Sequence, residues 1–319
     1  MMINEGKNPW AGMPLASKRR MSGETAHAFF WMIDDRGKYG LYLKAAAVFD
    51  ASIFEVRLKG IAIKKNAAAD AAGELFLILN RQEDWELFLA VCTDLAAACS
   101  EKEGVDLIAV IHRRLIRWQQ FLKQNYRLQL SMEQQMGLFS ELFYMLNYLL
   151  PVYGIKESLN AWVGPDFDKQ DFSLNGLLIE LKSYPSSRGP LIHISSLHQL
   201  DNSSKPLVLA AYGLTLTESG SSVQDLAESI LAVIREDGHP LEDVFYSKLA
   251  QYGYIDGVNA EPLSRFIADN IRVFSVSDKF PRLVVKDVSH QIVSVKYTID
   301  LSKCEEFEIA DPSSILKTK

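Results

Sequence analysis

The sequence predicts a mixed α/β protein, and three observations support this fold class. Strand-like alternation of apolar residues runs from about residue 27 to 79, helical spacing runs from 85 to 150, and strand-like segments return after residue 160. The chain has 319 residues, of which 48% are hydrophobic and 23% charged. A globular chain of this length has enough apolar residues for two or three packed units. We expect an N-terminal mixed β/α domain over 1–128, a core domain over 129–238 and a C-terminal α/β extension over 239–319.

The first part of the chain contains four strand-like segments. They cover 27–33, 39–43, 53–63 and 75–79, and the first two are separated by the turn-forming stretch 34–37. This succession predicts an antiparallel β-meander. Two amphipathic helices are predicted next, over 85–100 and 105–123, because apolar residues recur there at helical spacing.

The second of these helices carries a run of basic residues. No acid occurs between 112 and 127. Lysine and arginine release counterions when they neutralise phosphates, so the run could contact a nucleic-acid backbone. A solvated helix face is the alternative, because charge runs on surface helices are common. The candidate DNA-binding residues are Arg113, Arg114, Arg117, Lys123 and Arg127.

Charge and cysteine content exclude several other classes. Lysine and arginine number 34 against 40 aspartates and glutamates, a formal charge of −6, so nucleic-acid binding would have to be local. The three cysteines, Cys92, Cys99 and Cys304, show no CxxC spacing, which argues against a zinc ribbon and favours a reducing compartment. The first ten residues lack the apolar segment of a secretory signal, and no stretch is long enough for a membrane helix. We therefore expect a cytoplasmic protein that does not enter a membrane.

A third helix is predicted over 132–150, ended by Pro151. Its apolar face is broad, and Glu141 lies within it. Beyond this helix, Asn175-Gly176 separates two short apolar segments, and this dipeptide favours a two-residue type I′ hairpin turn. The turn sets the register: Leu174 pairs with Leu177, and Asp171 then stands opposite Glu180.

Asp171 and Glu180 would repel each other unless a positive charge lies between them. Lys182 shares their face, because side chains alternate along a strand. Two acids and a lysine at the end of an apolar hairpin can bind a hard divalent cation and hold a lysine beside a metal-bound water. Asp166, which follows Pro165, has the wrong parity for this face of a regular strand and is the fallback ligand if the strand begins with a bulge.

In these motifs the chain resembles the PD-(D/E)XK nuclease superfamily, whose core runs helix, three strands, helix, strand. The corresponding order here is Glu141 in a helix, a short strand near 161–163, Asp171, Glu180-Leu-Lys182, the segment 194–200 and the apolar strand 206–212. The resemblance implies a restriction-endonuclease-like αβββαβ core. A bacterial subfamily of PD-(D/E)XK motif proteins, found beside ATPase and helicase-like proteins in restriction and phage-defence clusters, is similar at five short motifs: Trp162-Val-Gly-Pro165, Gln170-Asp-Phe172, Ile179-Glu-Leu-Lys182, Ile194-Ser-Ser196 with Gln199-Leu200, and Phe280-Pro-Arg-Leu283.

The resemblance also implies roles for individual residues. Mg²⁺, or Mn²⁺ in its place, would be held by Asp171, Glu180 and the backbone carbonyl of Leu181, and Lys182 would orient or help deprotonate the attacking water. Glu141 would hold a second metal through water or orient Lys182. Gln199 would contact the scissile phosphate or a metal-bound water, and a helix cap or a surface amide is the alternative for this residue.

The function expected from these features is a metal-dependent DNA endonuclease of a restriction or phage-defence system. It would act on DNA alone or with an ATPase or helicase partner, and a homodimer would suit double-strand cleavage. The alternative is a catalytically silent scaffold with the nuclease fold that binds DNA or recruits such a partner. An RNA-directed nuclease would share the same chemistry.

Overall fold

The chain forms two compact units in the computed structural model. The first comprises Met1–Leu128 with Leu249–Ala260, and the second comprises Gln129–Lys248 with Glu261–Lys319. The predicted extension 239–319 thus contributes one segment to the first unit and the remainder to the second. The structure describes residues 8–21, 28–45, 49, 55–67, 73–99, 104–124, 128–166, 169–174, 176–202, 205–237, 240–258, 262–310 and 315–316.

The first unit is built on a five-stranded antiparallel sheet. Its strands are β1 (Ser17–Arg20), β2 (Ala28–Ile33), β3 (Tyr39–Ala45), β4 (Ile61–Ala67) and β5 (Gly73–Leu79). The order β1-β2-β3-β5-β4 departs from the predicted meander, because β5 lies between β3 and β4. The reason is the composition of the last two strands: the apolar β5 takes the interior position, whereas β4, with its two lysines, forms an edge that faces water.

Two helices complete the first unit, as predicted. They are α1 (Trp85–Ala98) and α2 (Gly104–Gln124). Alternate residues of the strands, including Leu43 and Leu77, share one core with Phe88 of α1 and Trp118 of α2. Cys92 and Cys99 are buried in that core, in agreement with a structural role.

The second unit begins with a helical segment that runs past the predicted end. Helix α3 (Met132–Tyr144) continues through one π-helical turn, Met145–Leu149, into α4 (Leu150–Ala161). Pro151 therefore does not end the helix, which corrects the prediction. Proline is tolerated there because it falls in the first turn after the π-helical segment, and the chain bends at Gly154, whose φ is 72°.

The central sheet of the second unit has four strands in the order β10-β9-β7-β6. They are β6 (Phe172–Leu174), β7 (Leu177–Pro185), β9 (Leu207–Ser221) and β10 (Phe266–Ser275), and a separate pair is formed by β8 (Leu191–Ile194) and β11 (Tyr297–Asp300). Strands β6 and β7 form the predicted hairpin, and β7 runs parallel to β9. The first predicted strand of the core is reduced to one bridge between Trp162 and Phe172.

The segment between β7 and β9 differs from the helix that the resemblance implies. It contains β8 followed by turns over 195–200. The stretch is short, and a side chain binds its backbone: Gln199 Oε1 accepts a hydrogen bond from the Ser195 N–H at 2.9 Å. Local bonds of this kind compete with helix formation. The mixed α/β class is confirmed, with helices α5 (Val223–Glu236) and α6 (Glu242–Tyr252) following β9.

Helices α3 and α5 pack together, α3 against β7 and α5 against β9. The opposite side of the sheet is covered by β8, β11 and the C-terminal segment through an apolar cluster that includes Leu178, Leu209 and Phe274. The described residues between β10 and β11 include one 3-10 turn, Val285–Asp287. Within the described residues, no helix has the length and apolar character needed to cross a membrane.

Candidate metal centre and active site

The candidate site is built at the point where the pairing between β6 and β7 stops. The pairs Phe172–Ile179, Ser173–Leu178 and Leu174–Leu177 confirm the predicted register. Gly176 has a φ of 90°, as the turn requires, and Asn175 lies outside the described residues. Glu180, Leu181 and Lys182 therefore follow directly beyond the paired part of the hairpin.

Asp171 is fixed by the backbone on both of its sides. Its carboxylate Oδ2 accepts a hydrogen bond from the Leu181 N–H at 2.7 Å, in the place where a ladder partner would otherwise lie. Its carbonyl oxygen accepts from the N–H groups of Val163 and Gly164, at 2.9 and 3.0 Å. These bonds hold the carboxylate against the edge of β7.

Glu180 and Lys182 form a close ion pair. Lys182 Nζ donates to Glu180 Oε1 at 2.5 Å. The Glu180 side chain is 1% exposed, and its second oxygen, Oε2, is buried and has no hydrogen-bond partner among the described residues. A buried carboxylate oxygen without a donor is costly, so this atom indicates a site that is completed by another group.

Glu141 reaches the same place from α3. Its Oε2 accepts a hydrogen bond from Trp162 Nε1 at 2.6 Å. A Cβ atom placed on Gly164 would lie 3.0 Å from Glu141 Oε2 and 3.2 Å from Asp171 Oδ1. Both carboxylates therefore lie against the backbone of Gly164, too close for a larger residue to fit there without a shift.

The electrostatics of these groups follow from burial and from their closeness. Burial raises the pKa of Asp171, although Lys182 and the Leu181 N–H act in the opposite direction. Burial and then the charge of Asp171 raise the pKa of Glu180 to about 8, against the effect of Lys182. Burial disfavours the ammonium of Lys182, but Glu180 and Asp171 outweigh it and raise the pKa of Lys182.

The carboxylates of this cluster suit a hydrated divalent cation. Within the described part of the chain, no three His, Cys, Asp or Glu side chains cluster closely enough to hold a metal ion between them. Mg²⁺ keeps several waters and is bound by only one or two carboxylates, so Asp171 and Glu180 are sufficient in number. The partnerless Oε2 of Glu180 fits such a hydrated ion, because a cation or one of its waters would give this buried oxygen the partner that it lacks.

Asp166 lies apart from this cluster. It belongs to a 3-10 turn, Gly164–Asp166, and its Oδ2 accepts from Lys248 Nζ at 2.7 Å. Lys248 Nζ also donates to the Trp162 carbonyl at 2.5 Å. The fallback assignment of Asp166 as the first ligand therefore gains no support from the geometry, whereas Asp171 is placed beside Glu180 and Lys182.

The side chain of Gln199 binds the backbone of the turn in which it lies. Its side-chain oxygen accepts from the N–H and the hydroxyl of Ser195, at 2.9 and 3.1 Å. No helix forms over 195–200, so this side chain binds a turn and does not cap a helix. A contact with phosphate or with a metal-bound water stays a prediction.

The basic run lies in the first unit, on α2. Arg114 contacts the carboxylate of Asp94 at 3.4 Å, and this acid also accepts from Trp118 Nε1 at 2.9 Å. Burial raises the pKa of Asp94, although Arg114 and Trp118 act against that shift. Arg114 thus serves an internal ion pair. DNA binding by the run as a whole stays a prediction: Arg113 and Lys123 are exposed, Arg117 is half-buried, and Arg127 lies outside the described residues.

Three residues support the site although sequence reasoning gave them no role. Trp162 binds Glu141, Gly164 allows both acids to approach its backbone closely, and Gln170 Nε2 donates to the His198 carbonyl at 2.9 Å. Gln170 is 5% exposed and immediately precedes Asp171, so this bond anchors the start of β6 to the turn after β8. All three fall in the motifs Trp162-Val-Gly-Pro165 and Gln170-Asp-Phe172, on which the family resemblance rests. These motifs were the signal in the sequence that could have identified them.

Comparison with known proteins agrees with this architecture. The profile of a family described as "Putative PD-(D/E)XK family member" (DUF4420) matches residues 6–302. No curated protein and no solved structure matches the chain.

Proposed function

The chain belongs to this PD-(D/E)XK family, DUF4420, and from that premise we propose that it is a metal-dependent endonuclease that hydrolyses phosphodiester bonds in DNA. The observation that carries the proposal is the grouping of Asp171, Glu180 and Lys182 at the end of the hairpin. Lys182 Nζ lies 2.5 Å from Glu180, and the second oxygen of that glutamate has no partner among the described residues.

Each residue has a role that its position supports. Asp171 and Glu180 would bind the cation, together with the backbone carbonyl of Leu181. Lys182 would orient the attacking water, and Glu141 would orient Lys182 or hold a second metal through water. In the reaction, the oxygen of water bonds to phosphorus as the water gives up a proton, one phosphate ester bond breaks, and the leaving oxygen takes up a proton. When bound, Mg²⁺ or Mn²⁺ supplies Lewis-acid stabilisation of the phosphate charge and lowers the pKa of its water.

The test is cleavage of supercoiled plasmid by the purified full chain with Mg²⁺, Mn²⁺ or a chelator. We expect cleavage that the chelator abolishes and that Lys182→Ala lowers at least about a hundredfold, the usual loss when such a group is removed. Lys248→Ala is the matched control: the two lysines are 16% and 13% exposed, and each is paired with an acid. This control should retain cleavage.

Two results would overturn the proposal. One is cleavage that survives in Lys182→Ala at the rate of the unmodified chain. The other is an intact protein that does not cut and whose melting temperature is unchanged by millimolar Mg²⁺ or Mn²⁺, because a bound cation must stabilise the folded state. That second result would favour the catalytically silent scaffold. Action within a restriction or phage-defence system, a homodimer and an ATPase or helicase partner stay predictions from the resemblance.

A further inference from the structure

One face of the sheet in the first unit carries aromatic side chains where polar ones are expected. The opposite face packs on the helices, so the remaining face of such a sheet normally alternates toward polar residues. Here Phe30, Tyr42 and Phe76 form a row across β2, β3 and β5, which we call the aromatic row. Ring centroids lie 5.6 Å apart between Phe30 and Tyr42 and 5.0 Å apart between Tyr42 and Phe76.

The described residues provide no helix to cover this row. Its apolar neighbours are Met32, Ile78 and Ala62, which all belong to strands of the same sheet. Phe30 and Phe76 are only half-buried. Two aromatic rings thus remain accessible on a sheet face, a feature that marks interaction surfaces.

Basic side chains stand at both ends of the row. Arg20 of β1 is directly opposite Phe30, and Lys64 of β4 is directly opposite Phe76. Both basic residues are exposed. Across the five strands, these side chains therefore form one line, with a basic residue at each end and three aromatic rings between them. The chain as a whole has a net charge of −6, so this is a local concentration of positive charge.

A third cation lies over the middle of the row. Lys18 Nζ is 3.4 Å from the centre of the Tyr42 ring and 5.4 Å from that of Phe76. An exposed cation–π contact is weaker than the stacking of a nucleobase on an aromatic ring. A base can therefore displace the flexible lysine, whose charge is then close to the phosphate of the same nucleotide.

The charges and the rings of this face together favour one class of ligand. Positive charges at the ends of the row favour a polyanion, and the accessible rings favour flat unsaturated groups. Single-stranded nucleic acid offers both, whereas the base faces of a duplex are already stacked. We propose that this face binds single-stranded DNA, with bases stacked on Phe30 and Phe76. The choice of DNA over RNA rests on the proposed function, whereas the stacking surface itself rests on the geometry.

The test is the fluorescence anisotropy of a labelled oligothymidylate mixed with the full chain in chelator, where cleavage cannot occur. We expect binding that a blunt duplex of the same length competes for poorly. The double variant Phe30→Leu/Phe76→Leu keeps apolar bulk but removes both rings, and it should bind at least about tenfold more weakly. Phe307→Leu, which changes a half-buried phenylalanine of the second unit, is the matched control and should bind normally.

An exposed charge provides a second readout that does not disturb the sheet. Lys64→Gln should weaken binding and reduce the slope of log affinity against log salt by about 0.7, the value for one phosphate contact on a single strand. Melting curves check that each variant is folded. If Phe76→Leu and Lys64→Gln both bind as tightly as the unmodified chain, the assignment is wrong.

Other outcomes separate this inference from the proposed function. Lys182→Ala should bind the oligothymidylate normally. An unmodified chain that binds the oligothymidylate but neither cuts plasmid nor is stabilised by Mg²⁺ or Mn²⁺ would refute only the nuclease. Cleavage without oligothymidylate binding would refute only the stacking surface. Equal or tighter binding of oligouridylate would overturn the choice of DNA.

Discussion

Gly164→Ala is the most direct test of how the carboxylates are placed. The added Cβ would lie 3.0 Å from Glu141 Oε2, 3.2 Å from Asp171 Oδ1 and 3.3 Å from Asp171 Cα. The backbone at Gly164 does not have a positive φ, so alanine adds no conformational strain and the contacts alone decide the outcome. Ordinary van der Waals contact begins near 3.4 Å, which means that both acids must move by a few tenths of an ångström.

Moderate effects are expected on both cleavage and stability. A displacement of about 1 Å in an active site costs about a hundredfold in rate, so a shift of a few tenths predicts a loss of about three- to tenfold. Overpacking destabilises by about 1–3 kcal/mol, and the reduced freedom of the unfolded chain offsets about 0.4–1 kcal/mol of that. We therefore expect the free energy of unfolding to fall by no more than about 2 kcal/mol.

The assay measures the plasmid cleavage rate and urea unfolding of Gly164→Ala beside Val163→Ala. The control shortens the neighbouring side chain but keeps the N–H that binds the Asp171 carbonyl. We expect the control to cut at the rate of the unmodified chain. The reasoning would be refuted by a folded Gly164→Ala protein that cuts at the full rate, or by an equal loss in both variants.

Three further predictions concern an acid outside the site, an ion pair and a strand. Asp166→Asn should change the cleavage rate by no more than about threefold, because this carboxylate pairs with Lys248 in a half-exposed contact; a loss as large as that of Asp171→Asn would contradict the site. Glu308→Gln should lower stability by about 1 kcal/mol at neutral pH, since Arg272 lowers the pKa of Glu308. That contribution exists above the unfolded-state pKa and is lost as pH falls through the folded-state pKa, so urea unfolding in acid should show no difference. Gly220→Ala would force a Cβ into the backbone of Phe266 in β10, and a thermal melt should show destabilisation of about 3 kcal/mol or more.

The sequence by itself determined the register of the hairpin formed by β6 and β7. Asn175-Gly176 favours one turn geometry, and side chains alternate strictly along a strand, so local chemistry places Glu180 and Lys182 on one face. The structure confirms the pairs next to the turn and the contact between Lys182 and Glu180. Helices α1 and α2 were predictable for the same reason, since an amphipathic period is a local property.

Local signals failed where a choice between alternatives depended on distant segments. The pattern of the strands did not show that β5 would lie between β3 and β4, because strand order depends on which strand covers the core best. Pro151 was a reasonable helix end, yet the π-helical turn before it let the chain remain helical. The segment 194–200 formed a strand end and turns, since Gln199 satisfies the backbone locally.

Only the tertiary structure decided how the acids meet and which surface stays open. Glu141 and Trp162 are 21 residues apart, and the Cβ position of Gly164 lies between Glu141 and Asp171 only because α3 packs on β7. The aromatic row likewise exists only because β5 pairs with β3, which places Phe76 directly opposite Tyr42. Turn and period preferences act over a few residues, whereas these contacts come from burying apolar faces of segments far apart in the chain, which no local pattern encodes.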